Sequence, residues 1–145
     1  AAHNLLKYSK PNLLKAVNKY NFASFINIGS IYGSISPYFY NYGNEKYFNP
    51  PNYGTSKAAL LQWTKYAACQ YGKYGIRFNC VSPGPIPNLK NNLNKNFLNK
   101  LIKKIPLQTL GKPEDLFGMI IFLSSNSSQF INGSNFIIDG GWSSW

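Results

Sequence analysis

The sequence predicts an α/β fold in which parallel strands are joined by helical crossovers, and three observations carry that prediction. Short apolar runs at 22–28, 76–81 and 135–139 have the length and the Phe, Ile and Val content of buried strands. Stretches of helical spacing alternate with them, giving the order helix, strand, helix, strand, helices, strand. Each run ends in turn residues, at Gly29-Ser30, Pro83-Gly84 and Gly140-Gly141.

Within 4–19, Leu5, Leu6, Leu13, Leu14, Ala16 and Val17 fall at helical spacing, with Pro11 expected to start a turn or kink the helix. Phe22 to Ile28 is nearly continuous in apolar residues, as expected of a strand buried on both faces. Ser30 then stands at the carboxyl edge of that strand, where open parallel sheets bind ligands. Residues 31–52 read as a long loop in which Tyr32, Tyr38, Phe39, Tyr40, Tyr42, Tyr47 and Phe48 sit among glycines and prolines. Loops of that length are functional or disordered, and the aromatic load argues for order.

A helix is expected from Tyr53 to about Gly72, apolar on more than one face, with Gly72 and Gly75 as its stop signal. The strand Ile76 to Val81 alternates weakly, which suits a central position. Ser82 to Asn88 follows as a turn stiffened by three prolines, with Gly84 allowing close approach to a bound group. Lys90 to Lys104 reads as a polar, weakly amphipathic helix, either mobile or placed as a cover. Gly111-Lys112-Pro113-Glu114-Asp115 is a helix start, with Pro in the first turn and two acids at the positive dipole end. The last strand runs from Asn135 to Asp139, with Trp142 and Trp145 in the tail.

At 145 residues, 44% hydrophobic and 13% charged, the chain suits one domain, 1–145, with its own core. No run of apolar residues reaches membrane-spanning length, and the first ten residues lack the apolar core of a secretory signal. Cys69 and Cys80 are too few for a disulfide framework and have no metal-ligand spacing around them, so a cytoplasmic setting and no metal are expected. The net charge of +11 comes almost wholly from dispersed lysines, Arg77 being the one arginine. Nucleic-acid readers favour clustered arginine, so no nucleic-acid or membrane partner is expected.

Tyr53 and Lys57 are four apart, which places both side chains on one face of a helix. A phenol ionises only near pH ~10 when unperturbed, and a neighbouring ammonium favours the phenolate. Ser30 could then hydrogen-bond a carbonyl oxygen whose charge is changing. Tyr-x-x-x-Lys alone is a common pattern. Its weight comes from Ser30 and Pro83-Gly84, which follow strands of one sheet and so share its rim.

Five segments, taken in order, resemble the classical type of short-chain dehydrogenase/reductase. They are Ile26-Asn27-Ile28-Gly29-Ser30, Tyr53-x-x-x-Lys57, Ile76-Arg77-x-Asn79-x-Val81-x-Pro83-Gly84, Gly111-x-Pro113-Glu114-Asp115, and Gly133 followed by Asp139-Gly140-Gly141. The resemblance implies the C-terminal portion of a doubly wound Rossmann-type parallel sheet, its last three strands with flanking helices. It also implies an NAD- or NADP-dependent oxidoreductase that moves hydride between the nicotinamide and a ketone or secondary alcohol. By resemblance Tyr53 is the general acid/base, Lys57 holds the nicotinamide ribose and lowers the tyrosine pKa, and Ser30 orients the carbonyl. Pro83, Gly84 and Ile86 would line the nicotinamide. A fourth catalytic residue, an Asn on the first helix, would fall at His3 or Asn4 counting back from Ser30, and Asn4 fits with one residue deleted.

The chain departs from the family pattern in several places. Residues 1–21 contain no glycine, so the Gly-rich phosphate turn is missing from this sequence. The N-terminal cofactor half is therefore expected to be absent, with the fourth family strand missing beside the first of these, and the chain alone inactive. Ser30 and Tyr53 are 23 positions apart, longer than in typical members. The added aromatic loop, with Tyr38, Tyr40 and Tyr42, suits a sugar or nucleotide-sugar substrate of a glycan pathway, or simply packs onto the domain. Asn88 stands where many members carry Thr.

Ser30-Ile31-Tyr32-Gly33 also resembles the loop of extended-type nucleotide-sugar epimerases and dehydratases, whereas Pro83-Gly84 and Asp139-Gly140-Gly141 favour the classical type. A non-catalytic, partner-binding remnant is the other alternative. The Tyr53–Gly72 helix fits helix-to-helix assembly into a homodimer or homotetramer. Asn27, Asn79, Cys69, Cys80, Asp139, Trp142 and Trp145 read as structural residues.

Overall fold

In the computed structural model, which describes residues 1–43, 48–88 and 94–145, three parallel strands form one sheet. They are β1 (Ala23–Ile28), β2 (Ile76–Pro83) and β3 (Asn135–Ile138), in the order β1-β2-β3. Ala23 lies opposite Ile76 and Ile28 opposite Val81, while Cys80 lies opposite Asn135 and Pro83 opposite Ile138. The helices are α1 (Ala2–Tyr20), α2 (Pro51–Tyr71), α3 (Lys95–Lys104) and α4 (Phe117–Leu123). The expected α/β architecture is what forms.

Alternation along the strands sends their side chains to two different layers. Ala23, Phe25, Ile76 and Phe78 meet Leu6 and Leu13 of α1 and Trp63, Ala67 and Ala68 of α2 in the main core. Phe25 stacks on Phe78 at 5.1 Å between ring centroids, and Trp63 closes on both edge-on at 5.8 and 5.9 Å. Full burial of a side chain such as Phe78 stabilises the fold by about 1.5–3 kcal/mol. Ser24 and Arg77 point the other way, to α4. The Ser24 hydroxyl donates to Leu123 O at 2.8 Å, and the Arg77 guanidinium donates to Leu123 O at 3.0 Å and to Ser125 O at 3.4 Å. A cation at the carboxyl end of α4 meets carbonyls that have no helical donor. Burial lowers the Arg77 pKa from its ordinary value.

A second core of Ile31, Leu101, Ile105 and Trp142 seats α3 near the carboxyl ends of the strands. The cover expected from 90–104 is therefore present from Lys95. Asn94 caps it, its side chain accepting from Asn96 N at 2.8 Å. Positions 90–93 of that expected helix, and Tyr47, lie outside the described residues.

Several expectations are corrected. β2 is buried at every position but Pro83, as a central strand should be, and it takes in Ser82 and Pro83, which read as turn residues. β1 is not buried on both faces: Ala23, Phe25 and Asn27 are buried, whereas Ile28 is 44% exposed. Among the described residues β1 is the sheet's edge, and short α4 covers its second face only in part. Pro11 does not start a turn; α1 runs through it. The missing N–H leaves the Lys7 carbonyl without a helical donor, and both residues are exposed, so that carbonyl is open to solvent.

α2 begins at Pro51, two residues ahead of Tyr53, because proline at the first helical positions has its φ already set and gives up no needed donor. The 31–52 stretch is not wholly irregular, since 3-10 turns form at Ile31–Gly33 and Phe39–Asn41. The helix start at Gly111–Asp115 is a 3-10 turn, Pro113–Leu116, that leads into α4, with Lys112 N donating to Asp115 Oδ2 at 2.7 Å.

The structural polar residues act as expected, with one difference. Asn79 donates to Ile131 O at 2.9 Å and accepts from Ser134 N at 3.0 Å, fixing the chain's entry into β3. Asp139 accepts from Gly141 N and from the Ser143 backbone and hydroxyl, fixing the turn after β3. Asn27 instead donates to a side chain, Thr64 Oγ1, at 2.9 Å, tying β1 to α2.

Candidate active site

The carboxyl end of β1 turns sharply. Ser30, in extended backbone at φ −167°, caps the 3-10 turn Ile31–Gly33, and its Oγ accepts from Tyr32 N at 3.2 Å. The backbone has thus taken an acceptor position of the hydroxyl, leaving its proton to donate elsewhere. Ser30 is buried. Gly33 brings this turn flat against α2: a Cβ there would lie 2.9 Å from the Lys57 carbonyl carbon.

Tyr53 sits in the first turn of α2, with its N–H on Pro50 O at 3.0 Å and its side chain 38% exposed. Lys57, one turn on, donates from Nζ to Ile28 O at 2.9 Å, and Nζ lies 5.6 Å from the Tyr53 ring centroid. The helix thus delivers both side chains to the end of β1, and a strand-end carbonyl holds the ammonium beside the phenol ring.

The turn after β2 supplies the opposite wall. Gly84 N donates to Ile138 O at 2.8 Å, and a Cβ on Gly84 would lie 2.5 Å from Asp139 Cβ, so only glycine lets the two strand ends cross here. Ser30, Tyr53, Gly84 and Ile86 line one cleft of about 210 Å³, whose lining also includes Phe97 and Leu101 of α3. Gly84 and Ile86 also border a neighbouring cavity of about 320 Å³ that reaches Gly111, Asp115 and Asp139.

Ser30, Tyr53, Gly84 and Ile86 come together in that cleft, and Lys57 stands behind Tyr53, outside its lining. Pro83 is the last residue of β2, next to that wall. Asn4 is exposed in the first turn of α1 and makes no hydrogen bond to Ser30, Tyr53 or Lys57. Of the three loop tyrosines, Tyr42 lines the cleft and packs on Phe97 at 5.5 Å. Tyr38 and Tyr40 pair with each other at 5.3 Å, exposed and away from the cleft lining.

Sequence reasoning did not place Tyr32 or Asn49 at the site, yet both line it. The available signal was position: Tyr32 follows Ser30 by two, and Asn49 immediately precedes the Pro50-Pro51 helix start. Burial pushes the Tyr32 phenol well above its ordinary pKa. Among the described residues no cluster of three metal-ligating side chains occurs.

A family model described as Enoyl-(Acyl carrier protein) reductase matches residues 2–143. The chain is 33% identical over 146 residues to the NADH-dependent L-xylulose reductase of Ambrosiozyma monospora, covering 95% of this chain and 48% of that protein. Against the 3-oxoacyl-(acyl-carrier-protein) reductase of Buchnera aphidicola subsp. Schizaphis graminum, identity is 33% over 135 residues, covering 92% of this chain and 51% of that protein. A short chain dehydrogenase from Leptospira borgpetersenii, solved with bound NAD+, superposes with a TM-score of 0.78 at 36% identity, over 93% of this chain and 50% of its own. The chain thus spans about half the length of the curated relatives it matches.

Proposed function

The chain belongs to the classical short-chain dehydrogenase/reductase family, and from that premise we propose that it serves an NAD- or NADP-dependent oxidoreductase acting on a ketone or secondary alcohol. The observation that carries this reading is the meeting of a donor-ready Ser30 hydroxyl and the Tyr53 phenol in one cleft, with the Lys57 ammonium behind the phenol.

In the direction of reduction, Ser30 donates a hydrogen bond to the substrate carbonyl oxygen and Tyr53 passes that oxygen its proton. Lys57 places its ammonium 5.6 Å from the Tyr53 ring centroid, beside the group that gives up the proton. The nicotinamide supplies or accepts the hydride when bound. The groups present fit its reactive end. Pro83 and Ile86 give an apolar border, and Lys57 Nζ keeps donors beyond the one spent on Ile28 O for ribose hydroxyls.

Asn4 is assigned to the proton relay from its place at the start of α1. Tyr38, Tyr40 and Tyr42 are assigned to a substrate loop, and a sugar substrate is supported by the L-xylulose reductase likeness. Residues 1–145 are read as one domain that carries the catalytic part. No described helix is long and apolar enough to cross a membrane, and we assign the protein to the cytoplasm. The outward side of α2, with Tyr66 61% exposed, supports assembly into a homodimer or homotetramer.

The test is single-turnover hydride transfer in the full-length protein with Tyr53→Phe and Lys57→Ala. Loss of an acid/base group lowers such rates by about 10²–10⁴-fold. A fall of less than about tenfold in both variants sinks the assignment.

A further inference from the structure

Another cavity, of about 580 Å³, adjoins the cleft, and Tyr32 and Asn49 belong to the lining of both. Its apolar wall comes from Ile35, Pro37, Phe39, Phe48 and Pro50, with Phe39 and Phe48 edge-to-face at 5.0 Å. Asn49 belongs to the lining of both spaces, and its Oδ1 is buried and has no hydrogen-bond partner. Buried amide oxygens are almost always paired, so this one calls for a donor.

We propose that the cleft and this cavity are two lobes of one substrate site, in which Asn49 accepts a hydrogen bond from a hydroxyl beside the reacting carbon. The Phe39–Phe48 lobe takes an apolar arm, for which rings presented edge and face are suited. The substrate class is an α-hydroxy ketone, or the corresponding diol, that carries an apolar substituent. This rests on Ser30 and Tyr53 marking the reacting end.

Four ketones separate the two features: butan-2-one, 3-hydroxybutan-2-one, 4-phenylbutan-2-one and 3-hydroxy-4-phenylbutan-2-one. Their dissociation constants are measured by ligand-observed NMR on the full chain, which requires no turnover. The hydroxyl is expected to tighten binding by about tenfold or more, because a site built around a hydrogen bond rejects analogues that lack it. Asn49→Leu should erase that preference and keep the preference for phenyl; Asn49→Ala repeats the measurement with a smaller side chain. Phe39→Ala should do the reverse. A hydroxyl preference that survives both Asn49 substitutions, or no binding of any of the four, overturns the proposal. Binding with the expected pattern in a protein whose hydride transfer ignores Tyr53→Phe leaves the two-lobed site standing and removes the catalytic reading alone.

Discussion

Replacing Gly84 by alanine tests how the strand ends make the cleft. A Cβ at this position would fall 2.5 Å from Asp139 Cβ and 2.6 Å from Asp139 Cα, both part of or next to the main chain of the segment after β3. Neither atom can swing aside as a long side chain would. Forcing a methyl group into such a space costs about 1–3 kcal/mol. The strands must part to admit it, and Gly84 N then loses Ile138 O, now at 2.8 Å, for about 1 kcal/mol more. The sum is about 2–4 kcal/mol, which lowers a urea midpoint by about 1–2 M at an m-value near 2 kcal/mol/M.

Gly118→Ala is the control, because a Cβ there meets nothing within 4 Å and the residue lies inside α4. Alanine should stabilise that helix by about 0.5–1 kcal/mol. Urea unfolding of the parent and both variants reads the two effects with opposite signs. If Gly84→Ala unfolds within about 0.5 kcal/mol of the parent, the close crossing is not a feature of the folded protein and the cleft wall has been misplaced.

Two further outcomes check the interior. Asn79, itself 0% exposed, partners Ile131 O and Ser134 N, so Asn79→Ala should cost about 2–4 kcal/mol by the same urea measurement; a loss under about 1 kcal/mol would mean that the entry to β3 is held by something else. Cys69 is exposed and Cys80 is buried, with burial pushing the Cys80 thiol above its ordinary pKa. A thiol-reactive disulfide reagent at pH ~8, near the unperturbed cysteine pKa, should therefore titrate one thiol of the native chain quickly and the second only after unfolding; equal rates would refute the burial of Cys80.

The fold was legible where local chemistry and burial agree. The weakly alternating stretch Ile76–Val81 belongs to a strand enclosed on both faces, and Gly84, the first residue past β2, marks the rim there. β1 misled because an apolar run reports what could be buried, whereas the depth reached depends on which neighbours arrive, and here short α4 covers only part of one face. Pro11 starts no turn because its cost is a missing donor, which an exposed position leaves open to solvent.

At the site, Ser30, Tyr53 and Gly84 were readable because each stands at a fixed offset from the end of a strand or the start of a helix. Tyr42 and Asn49 were not separable from Tyr38 and Tyr40 by composition. Which aromatic or amide of an irregular segment faces the cleft is decided by the path of the backbone through two 3-10 turns, and no periodicity records that path.

The central claim is that Ser30 and Tyr53 act on one and the same substrate oxygen. The most direct measurement is a double-mutant cycle on the hydride-transfer rate of the full-length protein, using Ser30→Ala, Tyr53→Phe and the pair. Groups that act as a unit are far from additive, so the double variant should be hardly slower than the worse single variant. A double variant slowed by the full product of the two single effects would show independent roles and contradict the shared oxygen.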